Sequence, residues 1–209
     1  MGKIKNLPPK ENLENIWYYY KWHIFACIFA VLAAVVLIGS YLTREKYIIN
    51  LSMVGYFDNS RSQEVSNFQN DITKLLVPEA NKRTSALVEL YRSKDSSGKL
   101  KELEPADVEK LSVKIAAKEV DILIMNKDDF NNYMNEDTFL KLDDLKLDNA
   151  NKAYKLVRAN SSVYGISVEG NKLLDKIGYD TKDKVIGIVV NTKNKESSEK
   201  VINWILKLQ

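Results

Sequence analysis

Enzymatic chemistry needs a nucleophile, a base or a metal. The only histidine of this 209-residue chain, His23, and the only cysteine, Cys27, sit at the edge of and inside one apolar stretch, 24–42. Neither is placed to serve the rest of the chain. Metal binding would fall to carboxylates alone, and Asp128-Asp129 and Asp143-Asp144 lack the spaced oxygen ligands and the glycine of a calcium loop. They are expected to be solvated surface acids. The chain is therefore expected to be no enzyme and to carry no metal and no cofactor.

What remains is recognition. In an open α/β sheet, ligands sit in the crevice at the carboxyl ends of the strands, where strand gives way to helix. Two loops answer that description: Tyr56, Phe57, Asp58 and Asn59 after the first strand, and Asn126, Lys127 and Asp128 after the third. These seven are the candidate contacts for a ligand or partner. Asn59, Asn126 and Asp128 serve equally well as ordinary turn and capping residues.

The elements that must position those loops follow from periodicity. Residues 47–57 form a nearly continuous apolar run, the pattern of a buried parallel strand. Ser60 and Gln63 form a capping-box pair, and Val65, Phe68, Ile72, Leu75 and Leu76 recur at helical spacing until Pro78. A second strand fits 86–91, followed by a polar loop at 93–99. Pro105 opens a helix with Val108, Leu111 and Ile115 on one face, and 120–125 returns to a strand. Asn126 is placed to cap a short helix carrying Phe130, Tyr133 and Met134, and 139–147 is irregular. Strands at 163–168 and 185–190 flank another short helix. A last helix starts near Glu196, with Val201, Ile205 and Leu208 on one face. The alternation predicts a single, mostly parallel α/β domain.

Residues 24–42 contain no Asp, Glu, Lys, Arg or His. At ~1.5 Å rise per residue such a helix crosses the hydrocarbon core of a bilayer, where the backbone must satisfy its own amides. Trp17, Tyr18, Tyr19, Tyr20 and Trp22 precede it and Tyr41 closes it, the arrangement of an aromatic interface belt, with Lys21 beside it to snorkel. Ala26, Ala30 and Ala34 recur every four residues and would let a second helix approach closely. The expected organisation is a cytoplasmic and interfacial segment, 1–23, a transmembrane helix, 24–42, and an extracytoplasmic domain, 43–209.

That orientation follows from a slight excess of lysine before the span (Lys3, Lys5, Lys10, Lys21) over the basic residues just after it (Arg44, Lys46). A cleaved signal peptide is the alternative for this segment. Its apolar core would exceed the usual ~7–15 residues and Ile38-Gly39-Ser40 is a mediocre cleavage site, so an uncleaved anchor is expected. The net charge of the whole chain is +3, and beyond the span acids and bases nearly balance, which leaves no basic face for nucleic acid.

Several segments resemble a known family. Asp121-Ile122-Leu123-Ile124-Met125-Asn126 with Phe130, and Phe139-Leu140-Lys141-Leu142-Asp143-Asp144-Leu145, resemble the bacterial extracytoplasmic solute-binding proteins of the type 2 periplasmic-binding fold. Tyr164-Gly165-Ile166-Ser167-Val168 resembles that family's Tyr-Gly-Ile-Pro-Val strand, with Ser167 in place of proline. Ile188-Val189-Val190-Asn191, followed by Lys193 to Glu196, resembles its late strand entering a packing helix. The resemblance covers about half the chain and implies one lobe of a fold that usually has two, so capture of a transported solute does not carry over. Ser52-Met53 after an amino-terminal span resembles the opening of bacterial signal peptidases, but Val54-Gly55 replace the proline expected next. The aromatic, lysine-containing approach to the span resembles that of small membrane-anchored proteins of Gram-positive bacteria.

Two function classes remain open. One is an accessory subunit that binds an integral-membrane protein of a transporter or export complex. The other is a tethered module that binds or senses a small ligand.

Overall fold

A computed structural model describes residues 10–43, 46–79, 84–92, 103–143 and 155–207. The polar loop expected at 93–99, positions 144–147 of the irregular stretch, and Leu208 lie outside the described residues. The chain divides into two compact units, Met1–Arg44 and Glu45–Gln209.

The first unit contains one helix, α1 (Lys10–Thr43). Within it Trp17–Tyr41 is long and apolar enough to cross a bilayer by length and composition. Its large apolar residues, among them Phe25, Phe29, Val35 and Leu37, are exposed rather than packed into a core.

In the second unit the order is β1 (Lys46–Gly55), a 3-10 turn (Asn59–Arg61), α2 (Ser62–Leu76), β2 (Thr84–Arg92), α3 (Pro105–Ala116), β3 (Ile122–Asn126) and α4 (Lys127–Asn135). Then come β4 (Leu156–Ala159), β5 (Ser162–Ser167), α5 (Lys172–Lys176), β6 (Lys184–Ile188) and α6 (Lys195–Lys207). The strands form one six-stranded sheet in the order β2-β1-β3-β6-β5-β4. β1 is parallel to both β2 and β3, whereas the pairings β3–β6, β6–β5 and β5–β4 are antiparallel. β1, β2, β3 and β5 thus run one way and β4 and β6 the other, a mixed sheet in which most strands share a direction.

The sheet is covered on both faces, which is why its central strands are buried along their length. Leu51, Met53, Ile122, Ile124, Ile186 and Ile188 face the cluster shared with Phe68 and Ile72 of α2 and with Val201, Ile202 and Ile205 of α6. Trp204 stacks on Phe68 at 5.6 Å between ring centres. Val54, Leu123, Met125 and Val185 face the other way, against Leu111 of α3 and Phe130 of α4. Gly165 and Gly187 make room for Phe130: a Cβ on either would lie 2.5 or 2.7 Å from its ring.

Two local expectations are corrected, and one strand is added. Ser60 and Gln63 form no capping box. Asp58 caps the 3-10 turn by accepting from Ser60 N, and Gln63 Nε2 donates instead to Asn67 Oδ1. Asn126 occupies the N-cap of α4 but makes no capping bond, because its side-chain oxygen accepts from Lys184 Nζ. A strand not expected from periodicity, β4, pairs with β5 through the two-residue turn Asn160-Ser161, both with positive φ (47° and 71°).

Candidate functional site

The sheet presents two ends, and they are built differently. At the carboxyl ends of β1 and β3, parallel register brings Gly55 beside Asn126, and antiparallel β6 sets Lys184 opposite Asn126. The crevice expected there is filled. Tyr179 lies across the end of β1, with its hydroxyl donating to Val54 O at 2.8 Å and its ring stacked on Phe57 at 4.7 Å. A Cβ on Gly55 would come within 2.9 Å of Lys184 Cε and 3.0 Å of the Tyr179 ring, so glycine permits both side chains to cross the strand.

Backbone bonds seal the same segment: Asp58 N donates to Gly178 O, Asp180 N to Tyr56 O, and Lys127 N to Asp183 O. Lys184 is wholly buried, donates to Asn126 Oδ1 and lies 5.8 Å from the centre of the Tyr179 ring. Burial pushes its ammonium below the ordinary lysine range, against the opposing pull of Asp180, Asp129 and Asp183. Burial likewise raises the Tyr179 hydroxyl. Beside this plug a small hollow of about 140 Å³ opens, bordered by Lys127, Ser167 and Asp183.

Of the seven candidate contacts, the structure brings both loops to this one end but divides them by exposure. Tyr56 is 48 % exposed, and Asn59, Lys127 and Asp128 are exposed with it. Asp58 is partly exposed. The backbone N–H and hydroxyl of Ser60 hold its carboxyl below the usual range, and it pairs with Arg61 at 3.6 Å. Phe57 points inward against Tyr179, and Asn126 is half-buried and occupied by Lys184.

The amino ends of the same strands hold functional candidates that the sequence did not reveal. Asp121, 4 % exposed, accepts from Asn50 N at 2.8 Å, from Asn194 Nδ2 at 3.2 Å on both oxygens, and from Thr192 Oγ1. It ties the start of the β1–β3 ladder to the turn after β6. Next to it, Asn50 Nδ2 donates to Glu89 of β2, Ser52 Oγ donates to Asn50 Oδ1, and Lys114 of α3 pairs with Glu89. Burial raises the Glu89 carboxyl, but bonds from Lys114 and Asn50 outweigh it and leave the group below its ordinary value. The Tyr91 hydroxyl, desolvated beside Glu89, is raised.

Asn50, Lys114, Asp121 and Asn194 of this network border a cavity of about 540 Å³. Tyr47 and Leu87 give it apolar lining, and Lys46, Lys114 and Lys118 stand around it. The only trace in the sequence is that Asn50 and Ser52 alternate with apolar residues in a strand buried on both faces.

No family model matches the chain, and no curated protein matches it. Among solved structures it is similar to an extracellular solute-binding protein family 1 from Alicyclobacillus acidocaldarius, at 18% identity and a TM-score of 0.38. It is also similar to the apo form of RafE from Streptococcus pneumoniae, at 11% identity and a TM-score of 0.32. Each alignment covers 59% of this chain and 28% of the other, so the chain matches less than a third of either protein's length.

Proposed function

We propose that the chain is a non-enzymatic, membrane-anchored binding subunit that docks an integral-membrane protein through the carboxyl-end face of its sheet. In this reading α1 spans the membrane with its amino terminus in the cytoplasm and the α/β unit outside. The observation that carries the proposal is the filled crevice. With Tyr179 and Lys184 packed over the ends of β1 and β3, the hollow beside them is about 140 Å³, below the size of a small-ligand site, while Tyr56 stands outside the plug among charged neighbours. An exposed aromatic ringed by polar groups is the composition of a protein contact.

The exposed apolar surface of α1 supports anchoring, since such a surface is costly in water and not in hydrocarbon. Ala26, Ala30 and Ala34 all lie on exposed turns of that helix and supply a stripe for close helix contact. The carboxyl-end face is tested by extracting the full chain from its native membrane in mild detergent. A stoichiometric integral-membrane partner should accompany the parent and be lost when Tyr56, Asp58 and Lys127 are all replaced by alanine. Retention of the partner by that variant, with an unchanged melt, would sink the docking face. Leucine at Ala30 and Ala34 tests the stripe separately, because it blocks close approach while keeping the helix apolar. Cross-linking should fall in that variant, and unchanged cross-linking would leave α1 as an anchor only.

One observation favours a second reading, a tethered small-ligand module. It is the open cavity at the opposite end of the sheet.

A further inference from the structure

We propose that the amino-end cavity binds the phosphate group of a phosphate ester, whose carbon portion rests on the apolar lining. The inference is independent of the docking face, which lies at the other end of the strands. At about 540 Å³ the cavity has the size of a small-ligand site.

Its charges decide the ligand class. Lys46, Lys114 and Lys118 face the two lining carboxylates of Glu119 and Asp121. Asp121 is turned inward, its oxygens taken by Asn50 N, Thr192 Oγ1 and Asn194 Nδ2, so it offers no seat for a cation. Lys114 is held in place by Glu89. Lys46 and Lys118 make no ion pair with any described residue. Lys114 is balanced by Glu89, and Asp121 keeps its charge within its ring of neutral donors, so the ammonium groups left to meet a ligand are those of Lys46 and Lys118, with Glu119 beside them. Ammonium groups act as point charges and suit a tetrahedral phosphate, which accepts from several directions.

Lys118 adds to the case by its backbone. It lies just past the end of α3 with φ 61°, where glycine is the residue of least strain. A lysine there gives up conformational ease, and the cavity supplies a use for its side chain. Tyr47 and Leu87 favour a phosphate attached to carbon over the inorganic ion.

The phosphate could belong to a soluble ester or to a lipid headgroup. In the sequence Lys46 comes only three positions after Thr43, the last residue of α1. The experiment separates the two sources. Full-length chain in neutral detergent is titrated calorimetrically with glycerol 3-phosphate, with dihexanoyl phosphatidylglycerol, and with dihexanoyl phosphatidylcholine as the zwitterionic control. Three variants are compared with the parent: Lys46→Gln combined with Lys118→Gly, Lys118→Gly alone, and, at the far end, Lys127→Gln.

Binding of glycerol 3-phosphate identifies a soluble ester, and binding of phosphatidylglycerol alone identifies a headgroup. In either case Lys46→Gln and Lys118→Gly together should weaken binding about tenfold or more, while Lys127→Gln leaves it unchanged. Lys118→Gly also relieves the backbone, so its unfolding temperature should match or exceed the parent's while its affinity falls. That combination excludes misfolding as the cause. No heat from either anion, equal binding of phosphatidylcholine, or an affinity indifferent to Lys46 and Lys118 would each overturn the proposal.

Discussion

The two ends of one sheet solve opposite problems. At the carboxyl end Tyr179 and Lys184 pack over the ends of β1 and β3, and Tyr56 stands exposed beside them. At the amino end the chain ties the same strands together with Asp121, and leaves beside Asn50 and Asp121 an open cavity, with Ser52 and Glu89 bonded to Asn50 behind it. Closure by an aromatic plug suits contact with another protein surface. A polar network beside apolar lining and lysines suits a small anion. The strands are shared, so the difference lies in the segments that connect them and in which side chains the alternation turns outward.

If the plug is structural, its removal should be the costliest change. Tyr179→Ala should destabilise the α/β unit by about 3–5 kcal/mol, because it empties the space against Phe57 and leaves Val54 O without its donor. Urea denaturation of the full chain in neutral detergent, followed by Trp204 fluorescence, measures it. Tyr179→Phe should cost only about 1 kcal/mol, since packing is kept and one hydrogen bond is lost. An alanine variant as stable as the phenylalanine one would mean that the carboxyl end is not closed by packing.

The clasp at the amino end should rank next. Asp121→Ala strands Asn50 N and frees Thr192 and Asn194, at a cost of about 2–3 kcal/mol in the same assay. Asp121→Asn should fall between parent and alanine, keeping one acceptor oxygen but presenting an amide donor to groups that already donate. Equal stability of all three would show that the turn after β6 holds without the carboxylate.

The order of elements was legible because the helices and central strands carry unmistakable periods: Phe68 and Ile72, Val201 and Ile205, and the run from Ile49 to Val54 all lie where their spacing put them. β4 was not legible, because Leu156–Ala159 is four residues long and its turn, Asn160-Ser161, lacks the glycine that marks such hairpins. The location of the carboxyl-end loops followed from topology, but their exposure did not. Nothing local to Phe57 or Asn126 reveals that Tyr179 and Lys184, more than fifty positions later, turn them inward. The amino-end cavity was hidden for the same reason: Asn50 meets Glu89 across 39 positions and Asp121 across 71. Lys184 lies one position before the strand expected at 185–190, and only antiparallel pairing places it opposite Asn126.

Lys184 also distinguishes the ends by their response to pH. Its ammonium is pushed down by burial, so the folded chain holds that proton less tightly than the unfolded chain. Where the unfolded state binds more protons, stability rises with pH. The parent should therefore gain stability, relative to Lys184→Met, as pH rises from neutrality toward the ordinary lysine value. Tyr179, whose hydroxyl is raised, acts in the opposite sense once unfolded tyrosine begins to ionise, so the comparison belongs below about pH 10. At pH 7 the methionine variant should lie within about 1 kcal/mol of the parent, because it removes a buried charge along with one hydrogen bond. A parent-minus-variant difference that is flat with pH would show that the ammonium reaches water.

The smallest effect expected is a gain, at a turn on the amino-end side of the sheet but away from the cavity. Asn160 and Ser161 join β4 to β5 with φ 47° and 71°, the left-handed pair that matches the twist of a two-residue hairpin. Asparagine tolerates that region because its short amide bonds to nearby backbone, whereas serine keeps a Cβ where the conformation disfavours one. Ser161→Gly removes that strain but gives the unfolded chain more freedom to lose. The native φ is positive, so the first effect should win, and the variant should be more stable by about 0.5–1 kcal/mol. Arg158 Nη1 donates to the backbone carbonyl of residue 161, so that contact survives the substitution. Phosphate binding at the cavity and partner capture at the carboxyl end should both be unchanged, which makes this variant the control for the others. A loss of stability would mean that the Ser161 side chain contributes more to the hairpin than its backbone costs.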